Sequence, residues 1–125
     1  MSKVRDHMTT HIISASSNDS AYSLAKAMKK KHVSCVLIVD EGHLVGIVTE
    51  NDFVAKLVVG KMDPKKTMAR EIMTKHILSV EPESHIVKVA TLMEQHKIKK
   101  MPVIDDGHLV GLITQTDLLK ILCYK

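Results

Sequence analysis

A seven-residue pattern whose residue types suit a phosphorylated sugar occurs twice in the chain. It reads Gly-h-h-Thr-x-x-Asp, where h is aliphatic, at residues 46–52 and again at residues 111–117. The aliphatic pair suits a strand end, and the threonine suits a helix start, where free N–H groups and a partial positive charge favour a phosphate. The aspartate falls in the first helical turn, where its carboxylate can accept hydrogen bonds from a cis-diol such as ribose. The pattern therefore predicts two sites for a phosphorylated ribosyl ligand.

The same pattern also has a purely structural interpretation. Thr-x-x-Asp is close to a capping box, in which two side chains satisfy the free backbone N–H groups at a helix start. A single copy would favour the capping role. The second copy, with the same glycine before it and the same turn residues upstream, favours a ligand site. Both interpretations remain open at the level of the sequence.

The repetition extends over nearly the whole chain. A shift of 65 residues aligns residues 4–60 with residues 69–125 without a gap and produces seventeen identical pairs. Chance would give roughly three identities at ordinary composition. Each half is near the lower size limit for an independent core. We therefore predict two similar units, residues 1–62 and 66–125, packed about a pseudo-twofold axis, so that a site in one has a counterpart in the other.

Hydrophobic periodicity predicts the same elements in both repeats, in the order strand, helix, strand, strand, helix, which gives a mixed α/β (α+β) fold. Gly42 and Gly107 lie in short turns between β-branched runs and predict a hairpin in each repeat. The last helices are expected to run to about Val59 and Ile121. The strands are predicted at residues 12–15, 35–39 and 44–49 and at residues 77–80, 101–104 and 109–114.

Composition excludes several classes of protein. The chain has 125 residues, of which 45% are hydrophobic and 26% charged, an ordinary globular balance. Aromatic residues make up 2%, too few for the stacking platforms of single-strand nucleic-acid binders. No apolar stretch is long enough for a membrane span or a secretion signal, and two cysteines cannot form a disulfide framework. These features predict a cytoplasmic protein that does not contact a membrane.

Neither a catalytic nor a metal-binding set of residues is apparent. No nucleophile, base and orienting acid occur together, so we predict that the protein is not an enzyme and needs no catalytic cofactor. His7 and His11 have the i, i+4 spacing of some metal ligands, but the glutamate of a metalloprotease motif is missing. We therefore predict no metal site.

Taken together, the motifs resemble those of a cystathionine-β-synthase-type (CBS) domain pair, or Bateman module, and the resemblance covers essentially the whole chain. It is carried by Arg-x-x-Met-Thr at residues 5–9 and 70–74, Met-Pro-Val-Ile-Asp at residues 101–105, Gly-x-Leu-Val-Gly, and Thr-x-x-Asp. The resemblance implies a stand-alone regulatory module that binds adenosine-containing ligands, namely AMP, ADP, ATP or S-adenosylmethionine. It also implies that two clefts between the repeats hold the ligand and that occupancy is signalled by a conformational change.

The same resemblance implies the residues of each site, with aspartate on the ribose and threonine on the phosphate. The site of Asp52 would comprise Ile47, Thr49, Asn51, Asp52, Ile77, Leu78, Lys97, Ile98, Lys99 and Lys100. The site of Asp117 would comprise Leu112, Thr114, Thr116 and Asp117 with Ile12, Ile13, His32, Val33, Ser34 and Cys35. Because Lys99 and Lys100 stand where the other site has Ser34 and Cys35, we expect phosphorylated nucleotides to prefer the Asp52 site.

The sequence gives a less specific indication of macromolecular partners. Small repeats leave hydrophobic faces uncovered, which predicts a homodimer. A regulatory module also implies a regulated protein, which the sequence does not identify. The alternative function is that of a small basic nucleic-acid-binding protein, motivated by the net charge of +4 and the basic run at residues 29–32. The shortage of aromatic residues and the lack of a helix-turn-helix or zinc signature make nucleic acid the weaker choice.

Overall fold

The computed structural model describes residues 2–75 and 77–123. A single 3₁₀ turn, Val4–Asp6, precedes the regular elements. The first repeat contains β1 (Ser14–Ala15), α1 (Ala21–Lys31), β2 (Cys35–Asp40), β3 (His43–Thr49) and α2 (Glu50–Asp52), which continues as a π-helix over Phe53–Val58. The short helix α3 (Ala69–Ile72) is followed by α4 (Ile86–His96), β4 (Lys100–Asp105), β5 (His108–Thr114) and α5 (Gln115–Cys123).

The chain divides into two compact units. The first unit is Ile12–Ile77, and the second unit is Met1–His11 together with Leu78–Lys125. These units do not begin and end with the sequence repeats, because the segment that leads into the first repeat packs in the second unit. The repeat boundaries, residues 1–62 and 66–125, are defined by the sequence alone and remain a prediction.

The first unit has the predicted order of strand, helix, strand, strand, helix. Its sheet has the order β1-β2-β3, with β1 parallel to β2 and β2 antiparallel to β3. α1 buries Leu24 and Met28 against Ile38 of β2 and Ile72 of α3, which are fully or almost fully buried. The helix α1 begins after Ser20, whose hydroxyl accepts a hydrogen bond from the Ser23 N–H at 3.1 Å.

The second unit departs from the prediction at its first strand. Of the strand expected at residues 77–80, only one parallel bridge forms among the described residues, between Val80 and Val103. In the first unit, the Leu37 N–H donates to the Ile13 carbonyl at 3.0 Å and so extends the parallel ladder. Pro102 stands in place of Leu37 and has no N–H to donate, so the ladder stops after one bridge.

Both predicted hairpins are confirmed, and their turns have the same backbone conformation. β2 pairs with β3 and β4 pairs with β5, each through a two-residue turn. Glu41 and Gly42 have φ of 51° and 79°, and Asp106 and Gly107 have φ of 49° and 79°. Two consecutive positive φ values define the type I′ turn, whose twist matches that of the strands.

The helices that follow the hairpins differ between the units. In the first unit the helical segment ends at Val58 in a π-helix, whereas in the second unit α5 runs to Cys123 as a regular α-helix. The predicted ends, Val59 and Ile121, lie within two residues of these positions. No helix in residues 2–75 and 77–123 is long and apolar enough to cross a bilayer.

Candidate functional site

In each unit, a Met-Thr dipeptide lies beside the strand that leads into the Thr-x-x-Asp pattern. Thr74 exchanges two backbone hydrogen bonds with Ile47, at 2.9 and 3.0 Å, next to the end of β3. Thr9 exchanges the equivalent pair with Leu112 of β5, at 2.8 and 3.0 Å. The Arg-x-x-Met-Thr segments therefore act as extra strand residues that line the candidate sites.

The glycine of each pattern makes room for the methionine of that dipeptide. A Cβ added at Gly46 would lie 2.5 Å from the Met73 Sδ atom. A Cβ added at Gly111 would lie 2.9 Å from both the Met8 Sδ atom and the Thr9 carbonyl oxygen. A larger residue at either position would overlap these atoms and force them to shift, which favours glycine at the start of the pattern in both repeats.

The carboxylate of Asp52 is buried and fully engaged by neighbouring donors. The residue is 4% exposed. Its Oδ2 atom accepts hydrogen bonds from the Thr49 N–H at 2.8 Å and from the Thr49 hydroxyl at 3.2 Å. Its Oδ1 atom accepts a hydrogen bond from the Thr74 hydroxyl at 3.4 Å and forms an ion pair with Lys56 at 2.9 Å. The Lys56 ammonium also donates to the Ile72 carbonyl at 2.9 Å.

The carboxylate of Asp117 is less buried and less engaged. Its Oδ2 atom accepts hydrogen bonds from the Thr114 N–H at 2.8 Å and from the Thr114 hydroxyl at 2.9 Å. The Asp117 N–H in turn donates to the Thr114 hydroxyl at 3.1 Å. Within the described part of the chain, no donor contacts the Oδ1 atom of Asp117, and no cation pairs with this carboxylate.

The structure therefore supports the capping interpretation of the pattern in both units. In the second unit Thr114 and Asp117 form a reciprocal capping box. Capping uses one carboxylate oxygen, which leaves the other oxygen available for a ligand wherever no second partner occupies it. Cap and ligand site are thus compatible at Asp117, whereas at Asp52 both oxygens already have partners.

The residues implied for the two sites lie in both units. In the first unit are Ile12, Ile13, His32, Val33, Ser34, Cys35, Ile47, Thr49, Asn51, Asp52 and Ile77. In the second unit are Leu78, Lys97, Ile98, Lys99, Lys100, Leu112, Thr114, Thr116 and Asp117. Each unit thus brings one aspartate together with its own threonine, and the assignment of the remaining residues to a given site stays a prediction.

The implied basic residues have partners within the second unit. Lys97 is the left-handed residue that ends α4, and its ammonium pairs with Glu94 at 2.9 Å on the exposed helix surface. The Lys99 carbonyl accepts a hydrogen bond from the Gln115 N–H at 2.8 Å, which fixes the start of α5. Lys100 is the strand partner of Thr114. These contacts position the lysine backbone close to the Thr114 cap.

Each unit also contains a groove beside its two long helical segments. In the first unit, a groove of about 520 Å³ is lined by His32, Val33, Glu50 and Phe53 together with α1 side chains. In the second unit, a groove of about 380 Å³ is lined by Lys97, Ile98, Lys99 and Gln115 together with apolar residues of α5. Neither lining includes the aspartate of its unit, so these grooves are distinct from the carboxylates.

Sequence reasoning missed two residues of the first candidate site. Thr74 entered only as part of a recurring motif, and Lys56 was not considered. The i, i+4 spacing of Asp52 and Lys56 on a helix was the signal that could have revealed the ion pair. No group of three or more metal-ligating side chains occurs within residues 2–75 and 77–123.

Comparisons with known proteins identify the family. The CBS domain model matches residues 4–59 and 69–124. The CBS domain-containing protein YhcV of Bacillus subtilis is 31% identical over 118 residues, which are 94% of this chain and 84% of that protein. For three other curated relatives the chain spans 55% to 60% of their length.

Two solved structures are informative about ligands and assembly. The CBS domain pair of protein MJ0100, in complex with 5′-methylthioadenosine and S-adenosyl-L-methionine, has a TM-score of 0.88 and 31% identity over 98% of this chain and 97% of that chain. The hexameric CBS-CP12 protein from bloom-forming cyanobacteria has a TM-score of 0.88 and 30% identity over 95% of this chain and 70% of that chain. None of these three named relatives carries the name of an enzyme. With family matches to both of its repeats, the chain belongs to the CBS domain family and is a CBS domain pair.

Proposed function

We propose that this CBS domain pair is a regulatory module that binds an adenosine-containing ligand. The observation that carries the proposal is its similarity to a CBS domain pair whose structure contains 5′-methylthioadenosine and S-adenosyl-L-methionine. That similarity extends over 98% of the chain, so both Thr-x-x-Asp patterns lie within it. AMP, ADP and ATP share the adenosine group and belong to the same proposal.

An aspartate of the Thr-x-x-Asp pattern is the proposed ribose acceptor. An ionised carboxylate offers about four lone-pair positions, and a cis-diol donates two hydrogen bonds. Hydrogen bonds to a charged acceptor are stronger than neutral ones, so the diol would contribute strongly to ligand binding. Adenine would then pack against aliphatic side chains, because aromatic residues make up only 2% of the chain.

Ligand binding would regulate by stabilising one conformation over another. A ligand shifts a conformational equilibrium only by the difference between its affinities for the two states. The module would therefore signal through a change in shape that alters its affinity for a regulated protein.

We further propose that the module is a homodimer. The first unit exposes Val54, Val58 and Val59 on consecutive turns, with exposed fractions of 59%, 68% and 71%. The second unit exposes Leu119 and Leu122 on α5. Apolar faces of this kind are typical of surfaces that pack against another chain, and the hexameric CBS-CP12 relative supports self-association in the family.

A thermal-shift screen tests the proposed function. The ligands are AMP, ADP, ATP, S-adenosylmethionine and 5′-methylthioadenosine, with adenine and ribose 5-phosphate as fragments. A ligand that binds only the native state at about one hundred times its Kd stabilises it by about 2.7 kcal/mol. We expect at least one adenosine ligand to raise the melting temperature and the fragments to have smaller effects. An unchanged melting temperature with all five ligands would contradict the proposal.

A further inference from the structure

The two aspartates occupy equivalent positions, yet their carboxylates have different partners. At Asp52, four donors fill the four acceptor positions, namely the Thr49 N–H, the Thr49 hydroxyl, the Lys56 ammonium and the Thr74 hydroxyl. At Asp117, the two donor groups of Thr114 fill only the positions on Oδ2. Within the described residues, no protein donor contacts the two acceptor positions on the Asp117 Oδ1 atom, and two is the number that a cis-diol needs.

One substitution between the repeats accounts for the ion pair that distinguishes the two carboxylates. The repeat equivalent of Lys56 is Ile121, which cannot pair with a carboxylate. Lys120, one turn beyond Asp117, forms no ion pair with it in the described part of the chain. The equivalent of Thr74 is Thr9, whose hydroxyl accepts a hydrogen bond from the His11 N–H at 3.2 Å.

The backbone around Lys56 is also specific to the first unit. Residues Phe53–Val58 form a π-helix, whereas the matching part of α5 is α-helical. π-Helical turns are rare and are frequently found at functional sites. In this geometry the Lys56 ammonium reaches both the Asp52 Oδ1 atom and the Ile72 carbonyl, each at 2.9 Å. Lys56 is therefore anchored at two points.

We propose that Lys56 acts as a built-in counter-ion that closes the Asp52 carboxylate to ribose, so that each chain takes one adenosine ligand, through Asp117. This inference rests on the proposed function and deepens it. A diol at Asp52 would have to displace an ammonium and a hydroxyl from a carboxylate that is 4% exposed. Ligand affinity is then higher at the Asp117 site, which is the reverse of the order expected from Lys99 and Lys100 alone. The reason is that neither site can bind a ribosyl ligand without an accessible ribose acceptor.

Calorimetric titration with 5′-methylthioadenosine and with AMP tests the inference, because it reports stoichiometry and affinity together. The wild type should bind one ligand per chain. Lys56→Ile, which copies the residue of the other repeat, should bind two, because the remaining Thr74 hydroxyl, 3.4 Å from the Asp52 Oδ1 atom, can rotate away and free the second acceptor position. Lys56→Met, which keeps an unbranched apolar stem, should do the same, and its melting temperature shows whether the variant is folded.

Matched variants in the second repeat assign the sites. Ile121→Lys places an ammonium four residues after Asp117 and should lower the wild-type affinity about tenfold or more. Asp117→Ala should weaken binding at the single site of the wild type about tenfold or more. Lys56→Ile combined with Asp117→Ala should regain one ligand per chain, held by the Asp52 carboxylate.

Three results would overturn the inference while leaving the proposed function intact. These are two equivalent sites in the wild type, one site in both Lys56 variants, or weaker binding in both Lys56 variants, which would make Lys56 a ligand contact. If neither ligand bound to the wild type or to either folded Lys56 variant, the inference would be overturned, and failure of ADP, ATP and S-adenosylmethionine to bind as well would overturn the proposed function.

Discussion

At the scale of single residues, the fold depends on close approaches that few side chains permit. Because Gly46 has no side chain, Met73 can pack directly against its backbone. The Met-Thr dipeptide can then pair with β3 and bring the Thr74 hydroxyl to Asp52. A second contact fixes the loop before α1, where the Asp40 carboxylate accepts hydrogen bonds from the backbone N–H and the hydroxyl of Ser17. Each contact joins a strand residue, Gly46 of β3 or Asp40 of β2, to a segment that lies outside the helices and strands.

Gly46→Ala should destabilise the protein by about 1–3 kcal/mol, because the new methyl group overlaps the Met73 side chain. The double variant Gly46→Ala with Met73→Ala should lose less stability than the sum of the single variants, since the overlapping side chain has been removed. Urea unfolding of all four proteins measures this coupling. If the losses in unfolding free energy of the single variants simply added up in the double variant, the new methyl group and the Met73 side chain would not be in contact.

Asp40 makes the stability of the first unit depend on pH. Hydrogen bonds from the Ser17 side chain, and then from its backbone, lower the pKa of the Asp40 carboxyl below its ordinary value. A carboxyl with a lowered folded-state pKa stabilises fully above its unfolded pKa of about 4, and this contribution disappears as pH falls through the lowered value.

Asp40→Asn should therefore cost stability at pH 6 and progressively less as the pH falls below about 4. Urea unfolding of the wild type and the variant across this range is the measurement. Asp105, the exposed equivalent in the second unit, provides the matched control, and Asp105→Asn should have the smaller effect at pH 6. A stability difference for Asp40→Asn that is constant with pH would contradict this account.

At the scale of elements, the two helices that follow the hairpins show how one motif diverges after duplication. The π-helix over Phe53–Val58 ends near Gly60, where an added Cβ would lie 2.2 Å from the Lys56 carbonyl oxygen. The equivalent of Gly60 in the second repeat is Lys125. The wide helical turn and the glycine that follows it thus occur together in the first unit.

Gly60→Ala should destabilise the first unit by about 1–3 kcal/mol, because the overlap is with backbone atoms that have little freedom to move. Lys66→Ala is the control, since Lys66 is exposed and lies outside the apolar face proposed for the dimer. Urea unfolding compares the two variants. Equal free energies of unfolding for the two variants would show that the C-terminal end of the π-helix adjusts to the added methyl group without cost.

The elements also show what a sequence reveals and what it leaves open. Hairpins follow from local turn chemistry at Gly42 and Gly107, so they were predictable. The loss of the strand before Val80 depends on the missing N–H of Pro102, a long-range effect that periodicity does not report. The packing of Met8 and Thr9 in the second unit is likewise non-local, because the alignment of repeats does not say which sheet a leading segment joins.

The candidate site was predictable to a similar degree. Thr-x-x-Asp indicated a helix start and a carboxylate near it, and both are present in each unit. Lys99 and Lys100 predict unequal sites, but the sequence does not predict that the Asp52 and Asp117 carboxylates have different partners. This difference depends on Lys56 and on Thr74, which is 22 residues away in the chain from Asp52.

At the scale of the whole molecule, the apolar residues exposed on the π-helix and on α5 are those proposed to pack against a second copy. Dimerisation predicts that one charged substitution on these residues breaks the assembly. Val58→Glu and Leu122→Glu should each convert the dimer to a monomer in size-exclusion chromatography with light scattering. Gln95→Glu adds a similar charge at an exposed position of α4 and should leave the dimer intact. A monomeric wild type at high micromolar concentration would contradict the proposal.

The most direct test of the central claim is equilibrium binding of 5′-methylthioadenosine and AMP to the wild type and to Asp117→Ala. The Asp117 carboxylate is the proposed ribose acceptor, so its removal should weaken binding of both ligands about tenfold or more while the protein remains folded. The 2′,3′-dideoxy analogue of 5′-methylthioadenosine should bind the wild type as weakly as the complete ligand binds the variant. The same affinity for wild type and variant, or an affinity that does not depend on the diol, would contradict the account.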